Sequence, residues 1–447
     1  MPCFQAATVK ADANIIRVPS DFPTIQEAIN AAQNGSTILV DSGIYYEHVT
    51  INKTLTLLGT DKEDTIIDGS NGGNAITLTA DNVLVDGFTV RNSSWGFYVD
   101  HSNSSVVSEN VITYCGMGLY VDHSNSSVVS GNVITYCGVA GIVLDNSFFG
   151  NISRNIVSST IGSNVGLIFG YGIYFEASAN NTMSDNVITN CSFGAIVLDS
   201  SSSNSILTND IENSSAVISS AEYNNTFLSN NFINILGPTT ENFSKTDIWS
   251  AGGRGNYWSD YTGLDNGSGG RVAGDGVGDT NLPWHGVDYY PLINPVNPLQ
   301  VFWDNTVFPV SLVSNSTVSA FNFDQADKEV TFNLNGPANT TGYFNLSTPT
   351  ALLSGPWKVF LDGTDITAEA VITENQTYTS IYLNSSQITH SIQIIGTGVI
   401  PEYPTATALP LLTLAALLLL TVLAAKKRKK NKQTPIRKLQ ITLFSSK

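Results

Sequence analysis

Residues 98–116 read YVDHSNSSVVSENVITYCG and residues 120–138 read YVDHSNSSVVSGNVITYCG, two copies 22 residues apart that differ only at Glu109 and Gly131. A fixed period in the twenties constrains the fold strongly. One such repeat is too short to bury an apolar face by itself, so it must stack on its neighbours. The period runs on. Asn110, Asn132, Asn155, Asn186, Asn209 and Asn231 mark successive repeats at steps of 22, 23, 31, 23 and 22 residues, the long step holding an insert around residues 162–172. An apolar residue stands three positions before each marker: Val107, Val129, Ile152, Met183, Ile206 and Leu228. Short runs such as Leu119-Tyr120-Val121-Asp122 alternate apolar and polar residues, with Ser, Asn and Gly between them. That is strand periodicity broken by polar turns. Three short strands in about 22 residues describe one coil of a right-handed parallel β-helix. The marker asparagines are expected to stack inside it as a ladder of amides.

The all-β reading sets the domain boundaries. Residues 1–14 read as the remnant of an export signal, with Val9-Lys10-Ala11 as a small-residue cleavage site, or as a disordered start. The β-helix is expected over 15–250. It opens with a short amphipathic helix at 24–33, where Thr24 is the N-cap, Glu27 follows three residues later, and Ile25, Ala28, Ile29 and Ala32 share a face. Such a helix covers the first coil's open strand edges. Residues 251–298, rich in Gly, Asp and aromatics, read as the cap of the far end. Longer alternating runs over 299–398 suit a small β-sandwich stalk. Residues 399–425 hold a linker and an uncharged, Leu-rich stretch, and Lys426–Lys430 follow at once. This reads as a single transmembrane helix with a basic cytoplasmic tail at 426–447 and the rest of the chain outside the cell.

Composition agrees. The net charge of −17 argues against nucleic acid, which needs a basic face. Frequent N-x-S/T sequons, among them Asn103 and Asn125, suit a glycoprotein exterior. Four cysteines in 447 residues make no disulfide framework.

Together these segments resemble a family. VPSDFPTIQEAINAAQNGSTILVDSGIYYEHVTINKTLTLLG resembles the opening of carbohydrate-binding and sugar-hydrolase (CASH) β-helix domains, pectin methylesterases included. The coils resemble NosD-type β-helix proteins, named for a periplasmic protein of copper delivery. GNYWSDY, followed by GDGVGDTNLPWHGVDYYPL, is similar to the ending of many such helices, and the 400–430 tail to archaeal membrane anchors of surface proteins. The resemblance implies fold and exposure rather than chemistry, since β-helices host many functions. Pectin methylesterase and polygalacturonase motifs are missing, so no catalytic residue is carried over. Gly43, Tyr45 and Glu47 match only the structural opening. Lyases need a basic residue beside a calcium cluster, and neither Arg91 nor Arg154, the arginines within the coils, has a convincing partner in sequence. Copper needs Met and His clusters, against three Met and five His here.

One constellation stands out. In the coil frame Asp100, Asp122, Asp145, Glu176 and Asp199 fall in one column, each ending a run such as GFYVD or GIYFE. If Val99 and Val121 face inward, these acids face out, ~4.8 Å apart. Carboxylates that close repel by about 3–4 kcal/mol at an effective dielectric near 20, and by less than ~1 in water. The column is therefore a solvated edge, partly protonated, or a face that binds cations or sugar hydroxyls. These five acids are also the candidate catalytic residues. His101 and His123 form a two-step ladder beside them. Cys115 and Cys137, with Cys191 in the same column, read as buried thiols rather than a bridge, because parallel Cβ directions disfavour one. In the cap, Asp265, Asp275, Asp279 and Asp288 are candidate Ca2+ ligands. Tyr257, Trp258, Tyr261, Trp284, Tyr289 and Tyr290 read as packing for the helix end.

The resulting expectation is a membrane-anchored surface module that binds polysaccharide or builds the cell envelope. The alternatives are a polysaccharide-active enzyme using the acid column and, more weakly, an accessory protein of copper maturation.

Overall fold

The computed structural model describes residues 15–160, 170–235 apart from 216 and 220–223, and 246–399 apart from 304–305, 337–340, 375–377, 387–388 and 397. The expected export remnant and most of the insert lie outside these residues, as does the expected transmembrane stretch. Among the described residues no helix is long and apolar enough to cross a membrane.

The repeat winds into a parallel β-solenoid of the right-handed type, the usual hand for parallel crossovers. One wall is a sheet of 10 strands, running from Ile15–Val18 to Thr226–Leu228. A second sheet of 15 strands wraps the other two walls, because long strands turn a corner without breaking. Val111–Asp122 shows how: its first half pairs with Val133–Thr135 and its second half with Ala140–Asp145, both in parallel register. Alternation decides what points inward. Val107, Ile112, Leu119 and Val121 of one coil are at most 2% exposed, and Val129, Ile134, Ile142 and Leu144 repeat them in the next. The corners are tight left-handed turns. Glu109 and Gly131 are both turn residues, with φ of 54° and 67°. The two copies differ here because Glu109 lies across the next turn, where a Cβ on Gly131 would stand 2.0 Å from its Oε1.

The asparagine ladder is present with one correction. Asn132, Asn155, Asn186 and Asn209 each accept the backbone N–H and side-chain N–H of the preceding rung, and Asn110 starts the ladder by accepting the Phe88 backbone N–H, all five at 0% exposure. The next rungs are Asn230 and Asn256, not Asn231. The step from Asn209 is one residue shorter than the sequence spacing suggested. Asn231 instead starts the following strand beside Asp210, and its amide clamps both backbone polar groups of Val296. A second ladder of Asn181, Asn204 and Asn225 runs in another corner. Both satisfy turn amides and carbonyls where water is excluded.

The opening helix spans Ile25–Ala31, and Thr24 Oγ1 accepts the Glu27 N–H at 3.2 Å as an N-cap should. The coil below supplies more. Glu47 accepts the N–H groups of Ile25 and Gln26 at 2.9 and 3.0 Å, and Lys53 Nζ donates to the carbonyls of Ile29, Asn30 and Ala32. A carboxylate at the first turn and an ammonium at the last complement the helix dipole. At the far end Phe227 stacks on Trp249 at 4.0 Å and Phe232 on Trp258 at 4.3 Å. Two antiparallel sheets of 5 strands follow, enclosing a core that includes Val310, Leu312, Phe332, Leu346, Ile381 and Ile392.

Candidate functional site

The third wall of the solenoid carries the acids. Gly96, Gly118, Gly141, Gly172 and Ala195 stack in one column within its strands. Small residues are needed there: a Cβ on Gly118 would stand 2.5 Å from the Gly141 carbonyl and 2.6 Å from Ile134 Cγ2. With that position pinned, Val99 and Val121 turn inward at 1% exposure and the acids turn out. Asp100, Asp122, Asp145, Glu176 and Asp199 stand in one unbroken register.

What the repeats alone did not disclose is the aromatic surface beside them. Two residues before each acid, in the same register, are Tyr98, Tyr120, Val143, Tyr174 and Val197. Three residues earlier again, Trp95 and Tyr171 share a further column. Trp95 lies 4.9 Å from the Tyr98 ring and 5.0 Å from that of Tyr120. Further along, Tyr171 lies 5.1 Å from Tyr174 and 5.2 Å from Phe193, which is 41% exposed. The signal was available: period-2 alternation puts the tyrosine of GFYVD, GLYVD and GIYFE on the same side as the acid.

The columns are bonded across coils. Tyr98 Oη donates to Asp122 at 3.1 Å, Tyr120 to Asp145 at 2.6 Å and Tyr174 to Asp199 at 3.4 Å. Burial, then the hydrogen bond to Asp122, pushes the Tyr98 hydroxyl up to about 12, and burial and neighbouring carboxylates raise Tyr120 and Tyr174 as well. Burial, followed by the charges of Asp145 and Asp199, raises Glu176 above the ordinary carboxylate range. The repulsion along the column is thus met by phenolic donors and solvent.

At the corner before this wall Tyr114 and Tyr136 stack at 5.2 Å, 61% and 53% exposed, with φ of 54° and 55°. Asn92, Asn190 and Asn213 hold comparable left-handed corners. A bulky residue there is strained where asparagine is not. Tyr114→Asn is therefore expected to raise stability by about 1 kcal/mol in chemical denaturation. A variant less stable than wild type would show that the tyrosine serves packing instead.

In the cap each of the four aspartates holds backbone. Asp265 accepts from Gly274 and Gly276, Asp275 from Val277, and Asp279 from Asn266 and Gly267. Asp288, 0% exposed, accepts from the backbone N–H of Asn256 and of Tyr290 and from Trp258 Nε1. Among the described residues no group of three or more acidic, His or Cys side chains is placed to share a metal ion. Of the cap aromatics, Trp258, Tyr261 and Trp284 pack on the helix core and Tyr257 and Tyr290 on a smaller cluster, but Tyr289 is 54% exposed. Arg91 does have a partner: its Nε donates to Asp68 at 2.8 Å. Burial alone would raise Asp68, yet Arg91, Ser70 N–H and Asn92 hold it below the usual range.

Burial pushes Asp288 up to about 6. The folded state then keeps a proton that the unfolded chain, with an ordinary value near ~3.9, has already released. Stability from this group is full below about pH 4 and declines as pH rises to about 6. The melting temperature of wild type is expected to fall more over that window than that of Asp288→Asn. Parallel curves would contradict it.

A family described as periplasmic copper-binding protein (NosD) matches residues 29–263, more than half of the chain. The chain belongs to the NosD family. A cell surface glycoprotein of Methanothermus fervidus is 28% identical over 320 residues, 56% of this chain and 53% of the relative, so the chain spans about half of that relative's length. Alginate lyase from Paenibacillus sp. strain FPU-7 is similar at a TM-score of 0.38 and 14% identity, over 50% of this chain and 96% of the lyase. DFA-IIIase from Arthrobacter chlorophenolicus A6 gives 0.42 and 16%, over 55% and 79%.

The NosD description mentions copper, which favours converging sulfur and imidazole donors. In this NosD chain the histidines do not converge. His101 and His123 stack in parallel, 4.8 Å apart at 1°, each with Nδ1 on its own Asp100 or Asp122. His48 bonds the Asn74 carbonyl, His285 Asp260 and His390 Asp362. Cys115, Cys137 and Cys191 are free, buried thiols, as expected, and burial raises all three, which disfavours the thiolate a metal needs. These donor positions do not fit a copper site.

Proposed function

We propose that this chain is a cell-surface β-helix protein that binds neutral polysaccharide along its third wall without cleaving it. The observation that carries the reading is the pairing of partly exposed aromatic rings at Trp95, Tyr98 and Tyr120 with a column of carboxylates one step away. Flat rings offer apolar faces to sugar rings. Carboxylates accept hydrogen bonds from sugar hydroxyls and are strong acceptors. A wall this acidic, on a chain of net charge −17, repels acidic chains, so neutral polymers are the fitting class. The surface location is supported by the relative's name and by the NosD family's periplasmic description. Migration of the full-length protein through gels containing neutral or acidic polysaccharides tests it. Retardation by neutral polymer is expected, and free migration in all of them would contradict the reading.

A second reading is an enzyme. It rests on Glu176, whose carboxyl is raised by burial and then by the charges of Asp145 and Asp199, the direction a general acid beside a carboxylate needs. Here new chain ends would appear with wild type and vanish with Glu176→Gln.

A further inference from the structure

Where the last coils meet the first sheet of the sandwich there is a cavity of about 550 Å³. Ser205, Thr226 and Arg254 line it from the solenoid side, and Ser311, Ser347 and Tyr378 from the sandwich. Arg254 is the anomaly. It is 8% exposed, and its Nε, Nη1 and Nη2 are all buried without a hydrogen-bond partner. A guanidinium carries five donors and no acceptor. Leaving one buried and unpaired is strongly unfavourable, and a complementary anion relieves it. Burial brings its pKa down to about 10, which still leaves it charged at neutral pH.

The acids nearby are committed elsewhere. Glu374, on the cavity wall, accepts from Trp357 Nε1 and Thr379 Oγ1, and Asp185 accepts from Thr208 Oγ1. The base of Arg254 is fixed, because its backbone exchanges two hydrogen bonds with Ala251 at 2.8 and 3.1 Å. A rooted, unpaired fork of donors in a hydroxyl-lined cavity matches the two-oxygen geometry of an oxyanion.

We propose that this cavity binds an oxyanion through Arg254, either a free ion such as sulfate or the carboxylate of an acidic sugar, with serine and threonine hydroxyls on the remaining oxygens. The site is separate from the aromatic wall and does not depend on it.

The full-length protein is melted with sodium sulfate, with trigalacturonate, and with an uncharged trisaccharide, each against sodium chloride of equal ionic strength. Low millimolar concentrations keep general salt exclusion negligible. Sulfate or trigalacturonate is expected to raise the melting temperature by about 2 °C or more at saturation, and the uncharged sugar to leave it unchanged. A response to sulfate assigns the free ion, and a response to trigalacturonate alone assigns the sugar. Arg254→Met is expected to melt higher than wild type in chloride, because the unpaired charge is gone, and to lose the anion response. Calorimetric titration of the unsubstituted chain reads the same site without a variant. Flat titrations with both anions, or an undiminished response in Arg254→Met, would overturn the proposal.

Discussion

Replacing Asn155 by alanine is expected to lower the unfolding free energy by roughly 3–6 kcal/mol, a large effect for one neutral side chain. Asn155 Oδ1 accepts both the backbone and side-chain N–H of Asn132 at 3.0 Å. Its Nδ2 donates to the Val129 carbonyl at 2.9 Å and to Asn186 Oδ1 at 3.0 Å. Alanine removes all four bonds, and the groups left behind lie where water does not reach. Each such group costs about 1–3 kcal/mol, partly offset by relaxation. In a solenoid each coil holds only its neighbours, so a break in the middle also uncouples the two halves. Asn103→Ala, on a partly exposed turn, is expected to cost less than about 1 kcal/mol. Urea denaturation of both variants checks this. Equal losses would mean that the ladder follows from the fold without supporting it.

The second large effect is on binding. Trp95→Ala with Tyr120→Ala is expected to weaken the affinity for neutral oligosaccharide by about 100-fold, close to 3 kcal/mol, with each single change near 10-fold. These rings touch at 5.0 Å and form one surface, so the two losses need not add. Both are half-buried on the outer side of the strand and Tyr120→Ala also removes the donor to Asp145, so the melting temperature is expected to fall modestly with the fold retained. Asp122→Asn keeps the shape and one acceptor while removing the charge, and is expected to weaken binding several-fold. If the double variant binds within twofold of wild type, the ligand lies elsewhere.

Much of the solenoid was legible because its constraint is local and repeated. The acids at 100, 122, 145, 176 and 199 fell into register because strand period and coil period act together. The ladder slipped at Asn231 because two adjacent asparagines follow Ser229 and only the corner geometry tells them apart. The aromatic wall was written in the same runs as the acids, two residues earlier, but a column of like residues is easier to see than one broken by Val143 and Val197. Glu47 and Lys53 as caps of the opening helix were not legible, since they come from 20 or more residues away and depend on how the helix lies over the coil. Arg254 was invisible for a similar reason: an unpaired cation is defined by its surroundings, not by its neighbours in the chain.

The most direct measurement is calorimetric titration of the full-length protein with neutral oligosaccharides of increasing length, followed by recovery and sizing of the ligand. A saturable isotherm, affinity that grows with length as successive coils are engaged, and recovery of every oligosaccharide at its original length are the predicted results. Absence of binding at any length, or shortened products with new reducing ends, would contradict a binding wall that does not cut.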